Sequence, residues 1–187
     1  MTADPATERT VVLRDGRRVR IRPARPEDAA AVLSYLCRVG AESVNLTFGA
    51  EGPGISEAEE REYLARVAAS DNSLALVALD GDGIVGSLTF DGGRRERLRH
   101  QGEFGISVLQ AYAGHGLGKA LLEYLIGWAE RGGVVRKINL KVRSDNAAAI
   151  RLYERMGWVL EGRTTRDTLI DGEFSDCLMM GREVDPA

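Results

Sequence analysis

The sequence has few of the residues that mark disulfide-rich, metal-binding or membrane-spanning proteins. It contains only two cysteines, Cys37 and Cys177, and no Cys-x-x-Cys pair, so neither a disulfide framework nor a zinc site is indicated. Its longest strongly apolar run, Leu74–Leu79, is far too short to cross a bilayer. Met1–Arg9 lacks the apolar core of a signal peptide. We therefore expect a cytoplasmic protein without a membrane partner.

Length and charge narrow the class further. The 187 residues suit a single domain over 1–187, and a chain of this size buries roughly 70% of its unfolded surface. The net charge of −3 argues against a general nucleic-acid-binding protein. The arginine-rich run Arg94–Arg99 is typical of a solvated hairpin, although contact with an anionic partner or RNA stays open.

The hydrophobic pattern predicts an α/β protein with a mixed sheet. The order is two strands, two helices, three strands, helix, strand, helix and two strands. The predicted strands are Val11–Leu13, Arg17–Arg22, Leu74–Leu79, Ile84–Phe90, Gly102–Leu109, Lys137–Arg143, Trp158–Thr165 and Glu173–Arg182. The predicted helices run from Pro26 to about Val39, from Ser56 to about Ala69, from Leu117 to about Glu130 and from Asn146 to Met156.

A glycine-rich loop opens the third predicted helix. Gly114, Gly116 and Gly118 alternate there, and glycine allows a tight turn that leaves backbone N–H groups bare. These N–H groups and the positive end of the helix dipole would point at one spot, which favours an anion. The loop therefore predicts a phosphate or pyrophosphate site.

Three phosphate ligands compete for this loop. A nucleoside triphosphate requires a first glycine and a magnesium-binding hydroxyl, but Ala113 and Ala120 stand at those positions, which excludes it. A dinucleotide requires a third glycine, where this sequence has Lys119 or Leu121, so its motif is incomplete. The pyrophosphate of coenzyme A is the third candidate.

A second motif lies in the segment Leu140–Trp158, which reads as a strand followed by a helix. Asp145 or Asn146 can cap this helix. Asn146, Ile150 and Tyr153 fall on one helix face, at i, i+4 and i+7. Taken alone, Asn146 could be a simple helix cap and Tyr153 a half-buried packing aromatic.

Together the two motifs resemble the GNAT superfamily of N-acetyltransferases. The family loop, Arg/Gln-x-x-Gly-x-Gly/Ala, matches at Gly116 and Gly118 but departs at Ala113. The second family signature, Asn-x-x-Ala-x-x-x-Tyr, matches at Asn146 and Tyr153. The resemblance implies a GNAT-like acyl-CoA N-acyltransferase fold, a mixed sheet of about seven strands flanked by about four helices. It covers about 11–182 and is specific only within Gly102–Glu161.

The resemblance also implies site residues. Acetyl-CoA would be the cosubstrate, with Asn146 beside its pantetheine arm and the Val108 N–H on its thioester carbonyl. The Tyr153 hydroxyl would lie near the sulfur and act as general acid. The strand that carries Val108 would splay from its neighbour and free backbone groups for pantetheine. The pyrophosphate would lie on the loop residues Ala113, Gly114, His115, Gly116, Leu117, Gly118 and Lys119.

Glu103 is the candidate general base, because a neutral amine is needed for attack on a thioester. It shares a strand face with Gly105, which leaves space for a substrate, and with Ser107, which could help to carry a water. The alternative is a structural ion pair with Arg99 or Arg143. The chemistry requires no metal, and the sequence shows no metal-ligand cluster.

The acceptor site is encoded weakly. By resemblance it lies between the loop Ala41–Ala50 and the turn Arg166–Asp176. Its largely acidic side chains suit a cationic amine, although a solvated loop would look the same; they are Glu42, Asn45, Asp167, Asp171, Glu173 and Asp176.

These observations predict an N-acetyltransferase that uses acetyl-CoA and acts on a primary amine. The acceptor would be a small amine, an amino-acid-like compound or a protein N-terminus. A non-catalytic acyl-CoA-binding or sensor module is the alternative, although binding alone needs neither Glu103 nor Tyr153. The resemblance leaves a homodimer open.

Overall fold

The computed structural model describes residues 7–186, which form one eight-stranded mixed sheet with helices on both faces. The strand order is β1-β2-β3-β4-β5-β6-β8-β7. The strands are β1 (Arg9–Val12), β2 (Arg18–Pro23), β3 (Leu74–Asp80), β4 (Gly83–Gly92), β5 (Gln101–Val108), β6 (Lys137–Arg143), β7 (Val159–Ile170) and β8 (Glu173–Glu183). The helices are α1 (Ala29–Glu42), α2 (Glu57–Ala68), α3 (Leu117–Gly132) and α4 (Ala147–Arg155).

This architecture confirms the predicted mixed α/β fold and the eight strands of the hydrophobic pattern, where the resemblance implied about seven. Residues 1–6 and 187 lie outside the described part, so the expectations for the start of the chain and for a domain over 1–187 extend beyond it. Within residues 7–186, no helix is long and apolar enough to span a membrane. Both cysteines are free thiols.

The main boundary error concerns β7, which the sequence predicts to end at Thr165. The strand continues to Ile170 and forms a hairpin with β8 through Asp171 and Gly172. Both turn residues have positive φ angles, 50° and 82°, as the favoured two-residue hairpin turns require. A register shift between Thr164 and Thr168 interrupts the alternating pattern, which hides the extension in the sequence.

The two faces of the sheet are covered by different helix pairs. Leu74–Leu79 is buried throughout because β3 is a central strand with both faces covered. Tyr35 of α1 reaches β5 on one face, where its hydroxyl lies 2.9 Å from the Ser107 Oγ. On the other face, Trp128 of α3 packs edge-on against Phe90 of β4, with ring centroids 5.9 Å apart.

An aromatic cluster joins α4 to the sheet. The rings of Phe104, Tyr153 and Trp158 pack edge to face, with centroid distances of 5.5–6.1 Å. The Trp158 Nε1–H donates to the Ile138 carbonyl of β6 at 3.0 Å. Such pairs contribute beyond simple burial. The cluster therefore fixes Tyr153 against β5.

Candidate active site

β5 and β6, the one parallel pair of the described sheet, separate after a few residues. Only Gln101–Glu103 pairs with Lys137–Asn139. Beyond that point β5 stays paired with β4 as far as Val108, and β6 with β8 as far as Arg143. The strands therefore diverge and leave a gap at their carboxyl ends, as the resemblance implied.

Backbone donors of β5 point into this gap. The Leu109 N–H donates to the Val85 carbonyl of β4 at 3.0 Å. Because N–H groups alternate in direction along a strand, those of Ile106 and Val108 face away from β4 and toward the gap. Val108 is the donor that the family resemblance implies, and the same alternation adds Ile106 as a second one.

The glycine loop presents a row of free donors beyond the end of β5. Gly114 and Gly116 have φ angles of 78° and 98°, and a Cβ built on either would meet nothing within 4 Å. Among the residues described, no acceptor receives a backbone N–H from 114–119. With the positive end of α3, this arrangement can hold an anion.

Two of the predicted loop residues contribute less than expected. The Ala113 N–H already donates to the Gln110 carbonyl at 3.1 Å, so Ala113 adds no free donor. The Lys119 ammonium pairs with Glu123 one turn along α3. The backbone of Lys119 therefore faces the anion site better than its charged group does.

The β1–β2 hairpin anchors the glycine loop, a contact that the sequence does not indicate. The Arg14 N–H donates to the His115 carbonyl at 3.0 Å, and the His115 Nδ1 lies 3.4 Å from the Asp15 Oδ2. Arg17 donates to the Ala111 carbonyl at 2.6 Å and holds the pKa of Asp15 below its usual value. No local pattern links residues this far apart in the chain.

α4 packs against the first turn of α3. A Cβ on Gly118 would lie 3.7 Å from the Leu152 Cδ2, so α3 begins directly against α4. The Asn146 Oδ1 accepts the Ala149 N–H at 3.2 Å, and Asn146 therefore caps α4. Its amide Nδ2 has no partner in the described part of the chain and can donate to a ligand.

Tyr153 lies where β5 and β6 begin to separate. Its side chain is 7% exposed, and its ring packs on Phe104, the residue after the last β5–β6 pair. Its hydroxyl hydrogen-bonds to no group in residues 7–186. Burial raises its pKa to about 12, so the hydroxyl keeps its proton at neutral pH.

Glu103 stands at the closed end of the gap, opposite Asn139. Its exposed carboxylate forms no ion pair with a described residue. Arg99 pairs instead with Asp71, and Arg143 with Asp145, each at 2.6 Å. The structure therefore does not contain the ion pair that was the alternative to a catalytic role.

The face that carries Glu103 is open. A Cβ on Gly105 would meet only the Thr89 Oγ1, at an ordinary 3.7 Å. Ser107 is hydrogen-bonded to the buried Tyr35, whose pKa is raised by burial. Tyr35 was not foreseen, because an aromatic in an amphipathic helix is normally read as core.

Glu103 and Tyr153 lie on opposite faces of β5. Tyr153 contacts Phe104 on the α3–α4 face, whereas Glu103 shares the α1–α2 face with Ser107. Because the gap passes between β5 and β6, a group held in it can be reached from both faces. This arrangement lets a thioester approach from the Tyr153 face and an acceptor from the Glu103 face.

Two acids of the predicted acceptor neighbourhood have hydrogen-bond partners within the fold. The Glu42 carboxylate accepts the Gln110 N–H at 2.7 Å. Asp176 accepts from the Arg163 guanidinium and the Arg166 N–H, both at 2.9 Å, and these bonds lower its pKa. Glu42 and Asp176 therefore hold neighbouring segments of the chain in place.

The family follows from comparison with known proteins. Residues 43–158, more than half of the chain, match the profile of the Acetyltransferase (GNAT) family. An acetyltransferase of the GNAT family from Streptococcus pneumoniae has a similar structure, with a TM-score of 0.85 and 34% identity over 89% of this chain and 99% of that one. The chain belongs to the acetyltransferase (GNAT) family.

Two curated relatives from Escherichia coli K12 share the sequence in part. L-amino acid N-acetyltransferase AaaT is 36% identical over 57% of this chain and 65% of its own length. [Ribosomal protein bS18]-alanine N-acetyltransferase is 51% identical over 29% of this chain and 36% of its own length. The chain thus spans less than two thirds of either relative.

Proposed function

We propose that this protein transfers the acetyl group of acetyl-CoA to the primary amine of a small, amino-acid-like acceptor. The observation that carries this proposal is the gap between β5 and β6. Together with the free N–H groups of 114–119, the gap forms one continuous track. Such a track suits a thioester arm that ends in a pyrophosphate. Membership of the acetyltransferase family and similarity to an L-amino acid N-acetyltransferase support it.

In the proposed reaction the amine nitrogen attacks the thioester carbonyl carbon. The Ile106 or Val108 N–H stabilises the developing oxyanion. As the carbon–sulfur bond breaks, the Tyr153 hydroxyl gives a proton to the thiolate. Glu103 takes the proton of the amine, directly or through a water, because an alkylamine with a pKa of about 10 is mostly protonated at neutral pH.

Two other functions compete with this proposal. A protein N-terminus is the second acceptor class, favoured by the 51% identity with the ribosomal-protein enzyme over 55 residues. A sensor that only binds acyl-CoA would use the same track, but would not need the Tyr153 hydroxyl, which has no partner among residues 7–186.

The testing experiment is thiol release from acetyl-CoA by the purified protein. The acceptors are amino acids, polyamines and peptides that begin with alanine. Turnover with amino acids supports the proposal, and turnover only with peptides moves the acceptor to proteins. Tight acetyl-CoA binding by calorimetry without turnover would favour the sensor.

Replacement of Glu103 by Gln should lower kcat/KM at pH 7 by up to about 100-fold, the lower part of the range for general bases. The carboxylate is exposed and would act through water, so the larger effects are not expected. The rate of the variant should rise with pH as the amine deprotonates. Glu96→Gln, at another exposed acid, is the control. A kcat/KM within twofold of wild type would remove Glu103 as the base.

Replacement of Gly116 by Val should weaken acetyl-CoA binding by about tenfold or more. A β-branched residue is strained at a φ of 98°, and about 1–2 kcal/mol of strain would shift the loop donors. Gly133→Val is the matched control, because Gly133 has a φ of 67° at the other end of α3. Calorimetry on both variants gives the comparison; equal Kd values would contradict an anion site on this loop.

A further inference from the structure

A polar pocket of about 510 Å³ opens on the α1–α2 face of the sheet. Tyr63 and Arg66 of α2 line one side, and Asp91 and Arg94 at the end of β4 line the other. Its volume falls within the usual range for small-molecule sites. The proposed mechanism does not use any of these four residues.

This pocket is adjacent to the candidate base. Asp91 lies directly opposite Glu103 in the β4–β5 register, so the two side chains share one face with Cβ atoms about 5 Å apart. The Tyr63 hydroxyl donates to the Asp91 Oδ2 at 3.1 Å and holds this carboxylate at the pocket wall. An acceptor amine at Glu103 would therefore have the pocket beside it.

The pocket is lined by two guanidinium groups and one carboxylate. Arg66 lies over the Tyr63 ring, 5.1 Å from its centroid, and Arg94 is exposed. Neither guanidinium forms an ion pair with a described residue, whereas the nearby Arg61 and Arg99 do. Two guanidinium groups without an ion-pair partner among the described residues thus line the same pocket as the Asp91 carboxylate.

We propose that Arg66 and Arg94 bind the carboxylate of the acceptor while its amine lies at Glu103 and Asp91, so that the acceptor is a free α-amino acid. Guanidinium groups bind carboxylates through short, charge-assisted and often bidentate hydrogen bonds. A peptide N-terminus has an amide in place of the adjacent carboxylate and would leave both arginines without a partner. This inference rests on the proposed N-acetyltransferase function and names the acceptor class.

The test compares amino acids with their carboxamides, which keep the amine and remove the negative charge. We expect wild type to prefer the acid of each accepted pair by about 10- to 100-fold in kcat/KM, as for a hydrogen bond to a charged group. Arg94→Gln and Arg66→Gln should remove most of this preference by raising KM for the acid, with kcat and the amide kinetics little changed. Arg97→Gln, in the same arginine-rich run but outside the pocket, should behave as wild type.

The outcomes separate the inference from the function on which it rests. Equal or better turnover of the amides by wild type would overturn the carboxylate site and leave an N-acetyltransferase. A preference for acids that survives in both arginine variants would also overturn it. No acetylation of any acid, amide or peptide would instead overturn the proposed function itself.

Discussion

Tyr153→Phe should lower kcat by about 10²–10⁴-fold, which is the contribution of a well-placed general acid. The Kd for acetyl-CoA should stay within about twofold of the wild-type value. The change removes only a hydroxyl that has no partner in the described residues. The ring contacts with Phe104 and Trp158 remain. The loss should therefore appear in chemistry and not in stability or cofactor binding. Steady-state kinetics and calorimetry on the same preparation give both numbers.

The pH profile gives the same hypothesis a second test. A general acid works only below its pKa, and burial raises the pKa of Tyr153 to about 12. Wild-type kcat should therefore not fall between pH 8 and 10, where an ordinary tyrosine with a pKa of about 10 would begin to lose its proton.

Tyr124→Phe is the control, since Tyr124 is buried in α3 and its hydroxyl donates to the Thr7 carbonyl. Unchanged kcat in Tyr153→Phe, or an equal loss in Tyr124→Phe, would end the acid role of Tyr153.

Short stretches of sequence were enough to predict those parts of the site whose conformation depends on neighbouring residues in the chain. Gly114 and Gly116 take positive φ angles just before α3, and Asn146 caps α4 within one turn of its own position. These features follow from backbone sterics and from free helix-end groups, so a short window of sequence contains the information.

The features that the sequence hid depend on distant pairing. The alternation of Glu103–Val108 is the same whether β5 is paired on one side or two, so only the family resemblance implied the gap. Arg17 reaches Ala111, and Asp91 faces Glu103, through register and turn geometry that no local pattern records. The partners of Asp176 could not be seen in the sequence for the same reason.

Trp158→Ala should lower the free energy of unfolding by about 3–5 kcal/mol, which is the usual cost of truncating a buried tryptophan. Trp158 is 2% exposed and packs on both Phe104 and Tyr153. Its indole N–H also satisfies the Ile138 carbonyl. The urea midpoint should fall at constant m-value, because the variant loses packing without changing the surface exposed on unfolding.

Trp158→Phe separates support of the fold from support of the site. It retains an aromatic ring but loses the indole hydrogen bond to the Ile138 carbonyl, at a cost of about 0.5–1.5 kcal/mol. The protein should still fold at room temperature, yet kcat should fall because the Tyr153 ring loses part of the surface that orients it. A Trp158→Ala loss below about 1 kcal/mol would fall outside the range for a buried tryptophan. It would mean that other contacts hold α4 on β5 and β6, and that the position of Tyr153 does not depend on this cluster.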